Sequence, residues 1–211
     1  MKFSRLSYIC ACFLLALLVP ASLSPAQNAY PGAVGFGSET HGGMPTATEN
    51  TSVIKVTNLN ADGPGSLKAA LEARGRRLVV LEVGGVIDLG GPDGVSRLQI
   101  ENPNLTIAGH TAPGPGVTIT GGDLLVNTHD VVIRHLRVRP GDAGQPKKSG
   151  WEPDGLSTGR SAYNVVADHV SVSWAVDENM TTGAISNSDV DGDGNPEPQG
   201  TSRNITFSHS I

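Results

Sequence analysis

Two short segments concentrate the side chains able to do chemistry. Trp151-Glu152-Pro153-Asp154-Gly155 and Ser173-Trp174-Ala175-Val176-Asp177-Glu178 each set carboxylates beside a tryptophan, and Asp168 lies between them. Carboxylates converging from neighbouring loops offer the oxygen ligands that a hard cation such as Ca2+ prefers. Glu152, Asp154 and Asp177 are the candidate ligands, with solvated loop acids as the alternative reading. Glu152, Asp154 and Asp168 also leave open a glycosidase pair, in which one acid protonates the leaving group. His135, His169 and His209 recur at matching places and raise the question of a three-histidine metal site. Asp189-Val190-Asp191-Gly192-Asp193-Gly194 resembles the start of a helix-loop-helix calcium loop. Its twelfth position is Gly200 rather than a bidentate Glu, which leaves a solvated insertion as the other reading.

The composition narrows the class of protein that carries these groups. Gly 27 and Pro 14 in 211 residues are too many for a helical bundle. Lys+Arg 15 against Asp+Glu 20, net charge −5, argues against non-specific nucleic-acid binding. Lys2 and Arg5 precede an apolar run, Tyr8 to Val19, and small residues ending at Ser24-Pro25-Ala26. That order predicts a secretory signal peptide over residues 1–26, with export and a single mature domain over 27–211. The apolar run falls short of the ~20 residues a membrane span needs, so no membrane association is expected. Cys10 and Cys12 lie within the leader, which leaves the mature chain without a disulfide, a thiol nucleophile or a zinc-thiolate site.

The elements that must position the acids are short strands. Ser52–Val56, Leu78–Val83, Leu105–Ala108, Val117–Ile119, Asp130–Val138, Asn164–Val172 and Asn204–Phe207 are β-rich runs divided by Gly, Pro, Asn and Asp. One helix is predicted, over Ser66–Arg74, with Ser66 as N-cap and Gly75 beyond its end. Asp130-Val-Val-Ile-Arg-His135, Asn164-Val-Val-Ala-Asp-His169 and Asn204-Ile-Thr-Phe-Ser-His209 align without gaps, and Asn104 to His110 is a looser fourth copy. Such a repeat with variable insertions, here 140–153 and 183–201, is the signature of a solenoid. The predicted fold is all-β, a right-handed parallel β-helix with a short N-terminal capping helix, incomplete at its C-terminal end. An antiparallel sandwich would want tight two-residue hairpins, and few separate these strands. In stacked coils equivalent residues lie about 4.8 Å apart, so the three histidines read more simply as a ladder than as a metal site.

Several longer segments carry a family resemblance. Val56-Thr-Asn-Leu-Asn-Ala-Asp-Gly-Pro-Gly-Ser-Leu-Lys-Ala-Ala-Leu71, Leu105-Thr-Ile-Ala-Gly-His-Thr-Ala-Pro-Gly114 and Ala167-Asp-His-Val-Ser-Val-Ser-Trp-Ala-Val-Asp-Glu178 resemble the secreted pectate lyases of polysaccharide lyase family one. Ala29-Tyr-Pro-Gly-Ala-Val-Gly-Phe-Gly37 is similar to the start of their mature chains. The resemblance implies a β-helix and a Ca2+-dependent β-elimination on galacturonan. In that chemistry a cation neutralises the uronate carboxylate, and a base removes the neighbouring proton.

Residue by residue, the resemblance places Glu152 and Asp154 at the family's paired acids and Asp177 at an acid of the next loop. Thr181 stands where many calcium-dependent members have a further Asp. The family's catalytic Arg, with its helping Lys and Arg, belongs to coils expected after Ile211. Arg134, Arg137, Arg139 and Arg160 do not match those positions, and no catalytic residue is assigned. The expected partner is an acidic polysaccharide, polygalacturonate or pectin, and the complete family fold is expected to be a monomer. A catalytically silent, polysaccharide-binding or structural β-helix is the alternative. An uncapped final coil would make the 211-residue product prone to self-association. Asn50, Asn104, Asn179 and Asn204 begin Asn-x-Ser/Thr sequons.

Overall fold

The computed structural model describes residues 28–159, 161–183 and 202–211. The expected leader with Cys10 and Cys12, Arg160, and the Asp189–Gly194 segment with Gly200 lie outside the described residues.

Among the described residues, fourteen short strands wind into three parallel sheets. In chain order they are β1 (Ser52–Val56), β2 (Arg77–Leu81), β3 (Gly85–Asp88), β4 (Arg97–Ile100), β5 (Leu105–Ala108), β6 (Val117–Thr120), β7 (Asp123–Val126), β8 (His129–Arg134), β9 (Arg137–Arg139), β10 (Leu156–Thr158), β11 (Tyr163–Asp168), β12 (Ser171–Val172), β13 (Met180–Thr182) and β14 (Arg203–Ser208). Sheet 1 has the order β1-β2-β5-β8-β11-β14, sheet 2 runs β3-β6-β9-β12, and sheet 3 runs β4-β7-β10-β13. From β2 to β13 each turn of the chain contributes one strand to each sheet in the order 1, 2, 3. This is a parallel β-helix, with open sheets whose edges in sheet 1 are β1 and β14.

The register stacks like on like. Val79, Ile107, Ile133, Ala167 and Phe207 form one inward column of sheet 1. Leu105, Val131, Val165 and Ile205 form another. With Ile87 and Ile119 from sheet 2 and Leu98, Leu124 and Leu156 from sheet 3, their buried members make one aliphatic core, against which the half-buried Ile205 and Phe207 pack. Strand pairing through a column of β-branched side chains is what the β-rich repeats require.

The two longest predicted strands each bend. Asp130–Val138 is β8 and β9 around a corner at His135, and Asn164–Val172 is β11 and β12 around His169. His135, His169 and His209 adopt φ of 55°, 53° and 47°, the left-handed conformation that lets the chain turn into sheet 2. Asn104, Asp130, Asn164 and Asn204 do the same at the entry to sheet 1, with φ between 53° and 60°. Their amides form a ladder: Asn204 Nδ2 donates to Asn164 Oδ1 at 3.0 Å, and Asn164 Nδ2 to Asp130 Oδ1 at 3.3 Å.

Helix α1 (Leu67–Glu72) stands between β1 and β2, where the first turn has no strands in sheets 2 and 3. Its Leu67, Ala70 and Leu71 join the core and close that end of the solenoid. The Ser66 Oγ accepts from Ala69 N at 3.2 Å, as an N-cap does. The helix ends at Glu72, short of the predicted Arg74, because its last carbonyls face Arg77 instead of continuing the helical ladder. The Arg77 side chain is fully buried, and its Nε donates to Ala70 O at 3.3 Å. Its Nη2 donates to Leu71 O and Asn102 O, and its Nη1 to Gly75 O and Pro103 O, at 2.8–3.1 Å. All five donors of the guanidinium are used.

Residues 28–51 cross the outer face of sheet 1. Gly37 N donates to Thr206 Oγ1, Thr40 Oγ1 to Asp130 Oδ1, and Gly43 N to Thr106 Oγ1, so the arm runs from β14 back toward β2. At Gly43 a Cβ would lie 1.8 Å from the Arg77 carbonyl oxygen, so only glycine allows this approach.

Candidate functional site

Two polar centres emerge from the coil stacking. The first is on the outer face of sheet 1, where Val80, Ala108, Arg134, Asp168 and Ser208 stand in register. The Asp168 carboxylate is buried and accepts from Arg134 Nε at 3.0 Å, Ser208 Oγ at 3.0 Å and the Nδ1 atoms of His169 and His209, each at 2.9 Å. Burial pushes its pKa up, but these four hydrogen bonds outweigh it and hold the carboxyl well below the usual range. The histidine rings stack, His135 on His169 at 4.8 Å and His169 on His209 at 4.9 Å between centroids. His110, one residue displaced by the longer fourth copy, meets His135 edge-on at 5.5 Å. The recurring histidines therefore form a ladder at a corner, with two of them oriented by Asp168. Tyr30 of the arm lies under the Arg134 guanidinium, 3.9 Å from its carbon to the ring centre.

The second centre sits where sheet 2 turns into sheet 3. In one coil that corner is only Gly121 and Gly122; in the next it is the loop 140–155, and in the following one 173–179. These two loops carry the acids singled out from the sequence. Carboxylate oxygens of Asp154, Asp177 and Glu178 all lie within 4.8 Å of one another. Glu178 N also approaches Asp154 Oδ1 at 3.4 Å. The charge of Asp177, then burial and the contact with Asp154, raise the Glu178 pKa above that of an ordinary glutamate. An all-oxygen set crowded by its own negative charge fits a hard divalent cation.

Of the expected trio, Asp154 and Asp177 are in this cluster. Glu152 is exposed and lines an adjoining cleft of about 390 Å³ with Arg97 and Asp123. Thr181 lies in β13 opposite Ser157. Glu178 stands in the quoted motif yet is absent from the expected trio, although its adjacency to Asp177 was the available signal.

An ion pair between the exposed Arg97 and the buried Asp123 supports the cluster from the preceding coil. Arg97 holds Asp123 through two bonds, Nε to Oδ1 and Nη2 to Oδ2, both 2.7 Å. Burial pushes the Asp123 carboxyl up and the nearby Asp154 charge adds to it, while Arg97 opposes both. Neither residue was legible as functional, because β4 and β7 do not carry the repeat.

The remaining arginines of this region are engaged. Arg137 bonds Thr118 Oγ1 at 3.0 Å and Pro115 O. Arg139 donates to Ser171 O and Ser171 Oγ, each at 2.6 Å, and burial lowers its pKa. Arg134 serves Asp168.

No family model matches the chain. Over 176 residues, 82% of the chain, it is 39% identical to a probable pectate lyase C of Aspergillus flavus. Over 199 residues, 94% of the chain, it is 39% identical to a probable pectate lyase C of Emericella nidulans. Over most of its length the chain is homologous to these probable pectate lyases. It spans 38% and 39% of the lengths of these two curated relatives. The crystal structure of Jun a 1, the major allergen from cedar pollen, superposes with a TM-score of 0.55 at 22% identity. That match covers 83% of this chain and 47% of the allergen, and it supports the fold alone. Among the described residues no helix is long and apolar enough to cross a membrane.

Proposed function

We propose that this pectate lyase homologue acts on galacturonan by Ca2+-dependent β-elimination, with the cation held at the corner between sheets 2 and 3. The observation that carries the reading is the convergence of Asp154, Asp177 and Glu178 from successive coils. Glu152, two residues from Asp154, stays in the proposal as a further carboxylate on the same loop. A bound Ca2+ would supply the Lewis acid that neutralises a uronate carboxylate and acidifies the adjacent proton. The chain's own contribution is to fix three carboxylates on stacked coils and to hold Asp154 beside the Arg97–Asp123 pair, which sets the local charge. Because Arg134, Arg137 and Arg139 are committed to structural bonds, no base is assigned to them. Export, with residues 1–26 as the leader, and an acidic polysaccharide partner belong to the same proposal.

The test is a calcium titration read by thermal melting, alongside appearance of unsaturated uronate from polygalacturonate with Ca2+ and with chelator. Ca2+ at 100 times its dissociation constant would add about 2.7 kcal/mol of stability, a rise of several degrees at this chain size. Asp154→Asn and Asp177→Asn should each weaken that response on the order of tenfold or more, since affinity follows ligand charge. A melt indifferent to Ca2+ would refute the cation site. Ca2+ binding and polysaccharide binding without unsaturated product would replace the lyase with a polysaccharide-binding module.

A further inference from the structure

We infer that Trp151 and Trp174 form a platform for a uronate ring of the acidic polysaccharide, with Lys147 pairing its carboxylate. The inference deepens the proposed function and rests on it for the class of sugar. The chain has only two tryptophans, and both line one cleft of about 460 Å³ with Lys147, Gln145, Pro146 and Val176. Each stands three residues before an acid of the carboxylate cluster: Trp151 before Asp154, and Trp174 before Asp177. A sugar on this surface would therefore sit one short step along the chain from the proposed cation.

Trp174 is held exposed beside the half-buried Trp151. Trp174 is 74% exposed, which for a tryptophan calls for a reason. Its backbone sits at φ 66°, a conformation bulky residues avoid, and its carbonyl accepts from Gly141 N at 2.9 Å. Strain kept by surrounding bonds is common at binding surfaces. The Trp151 indole N–H donates to Gly141 O at 3.2 Å, so the same glycine bonds the Trp151 ring and the Trp174 backbone. Arg139 lies 6.0 Å from the Trp174 ring centre. An aromatic face offers a sugar ring an apolar surface that costs little entropy to order, while a nearby cation selects an acidic sugar over a neutral one. Asp142, the carboxylate on the rim, is turned to its own loop and accepts from Gly144 N at 2.9 Å.

Because no other tryptophan exists, indole emission of the full chain reports this cleft alone. Unesterified oligogalacturonate should change that emission saturably in the presence of Ca2+. Neutral oligogalactose and fully methyl-esterified oligomer should bind at least about tenfold more weakly. Trp174→Ala, read through the remaining Trp151, should lose about tenfold in affinity, and Trp174→Phe should recover most of it. Lys147→Gln should weaken the unesterified oligomer severalfold and leave the esterified one unchanged. A circular dichroism melt checks that each variant folds, and the Trp174→Phe comparison serves if the alanine variant does not. Unchanged emission at saturating oligomer, or equal affinity for neutral and acidic sugars, would overturn the platform. Elimination with an unaltered KM in Trp174→Ala would also overturn it while leaving the lyase reading intact. Emission changes in a protein that yields no unsaturated product would support the platform and refute the lyase.

Discussion

Replacing Arg77 by methionine should unfold the capped end of the solenoid before the rest. The guanidinium is fully buried and donates to five carbonyls, of Ala70, Leu71, Gly75, Asn102 and Pro103. It thereby joins the end of α1 to the turn that enters β5. Methionine keeps the apolar stem and removes every donor. Hydrogen bonds to a charged group contribute about 1.5–3 kcal/mol each, and buried carbonyls left without donors lose much of that. Against this stands the cost of burying a cation whose acceptors include no carboxylate, a cost visible in the lowering of its pKa to about 10 by desolvation.

The balance is a loss of about 3–5 kcal/mol, or roughly 10 °C in melting temperature. Arg77→Lys, with three donors on a point charge in place of a five-donor fork, should lie between the two at about 2 kcal/mol. Urea unfolding followed by far-ultraviolet circular dichroism measures the differences. Hydrogen exchange locates them, with faster exchange in α1 and at 102–105 than in β11. A methionine variant within 0.5 kcal/mol of the wild type, or a lysine variant equal to it, would refute the argument that the fork spans two elements.

Two further perturbations test the ladders. Asp168→Asn should cost about 2–4 kcal/mol at neutral pH, since Arg134 and two imidazoles lose their shared carboxylate. The carboxyl is held below its unfolded value, so its contribution is fully present above about pH 4 and is lost as pH falls below that. The wild type should therefore lose stability more steeply than the variant on acidification, and parallel curves would contradict the assignment. At Asn164, with φ 54°, Asn164→Ala loses both the amide ladder and a residue tolerant of the left-handed conformation, about 1–2 kcal/mol for the backbone alone. Asn164→Gly loses the ladder but not the conformation, so its urea midpoint should fall less; the reverse order would place the stabilisation elsewhere.

What was legible in the sequence followed the repeat. Sheet 1 was readable because β8, β11 and β14 share a pattern in which turn formers and histidines fall at fixed places. The same residues concealed the corners: nothing in Ile133-Arg134-His135-Leu136 announces a left-handed histidine, so two strands looked like one. Sheet 3 was the hardest to see. Asp123–Val126 and Leu156–Thr158 are three or four residues long and have no flanking repeat, so β7 and β10 are defined by their partners in register rather than by their own composition. Arg77 was hidden for a related reason. A charged residue at the head of a strand reads as a solvated edge, and only the fold brings α1 and the 102–103 turn around it.

The placement of the acids follows from where a solenoid tolerates extra chain. In the coil of β6 and β7 the passage from sheet 2 to sheet 3 is made by Gly121 and Gly122. A Cβ on Gly122 would lie 2.2 Å from the Ser96 carbonyl oxygen, so that corner is packed shut by its neighbour. One coil later the same corner opens into 140–155 and carries Trp151, Glu152 and Asp154 without disturbing the register of Leu124 with Leu156. The inserted chain can vary because the columns on either side of it are fixed. On the opposite face the reverse holds: the 28–51 arm and the Asn, Asp and His ladders cover sheet 1 and engage the polar groups there. On the proposed reading, stability and binding are thereby divided between two faces of one coil. Substitutions at Trp174 or Asp177 should change ligand response with little change in urea midpoint, whereas those at Asp168 or Asn164 should do the opposite. A large loss of stability on removing Trp174 alone would mean that the loop is part of the packing and that the division fails.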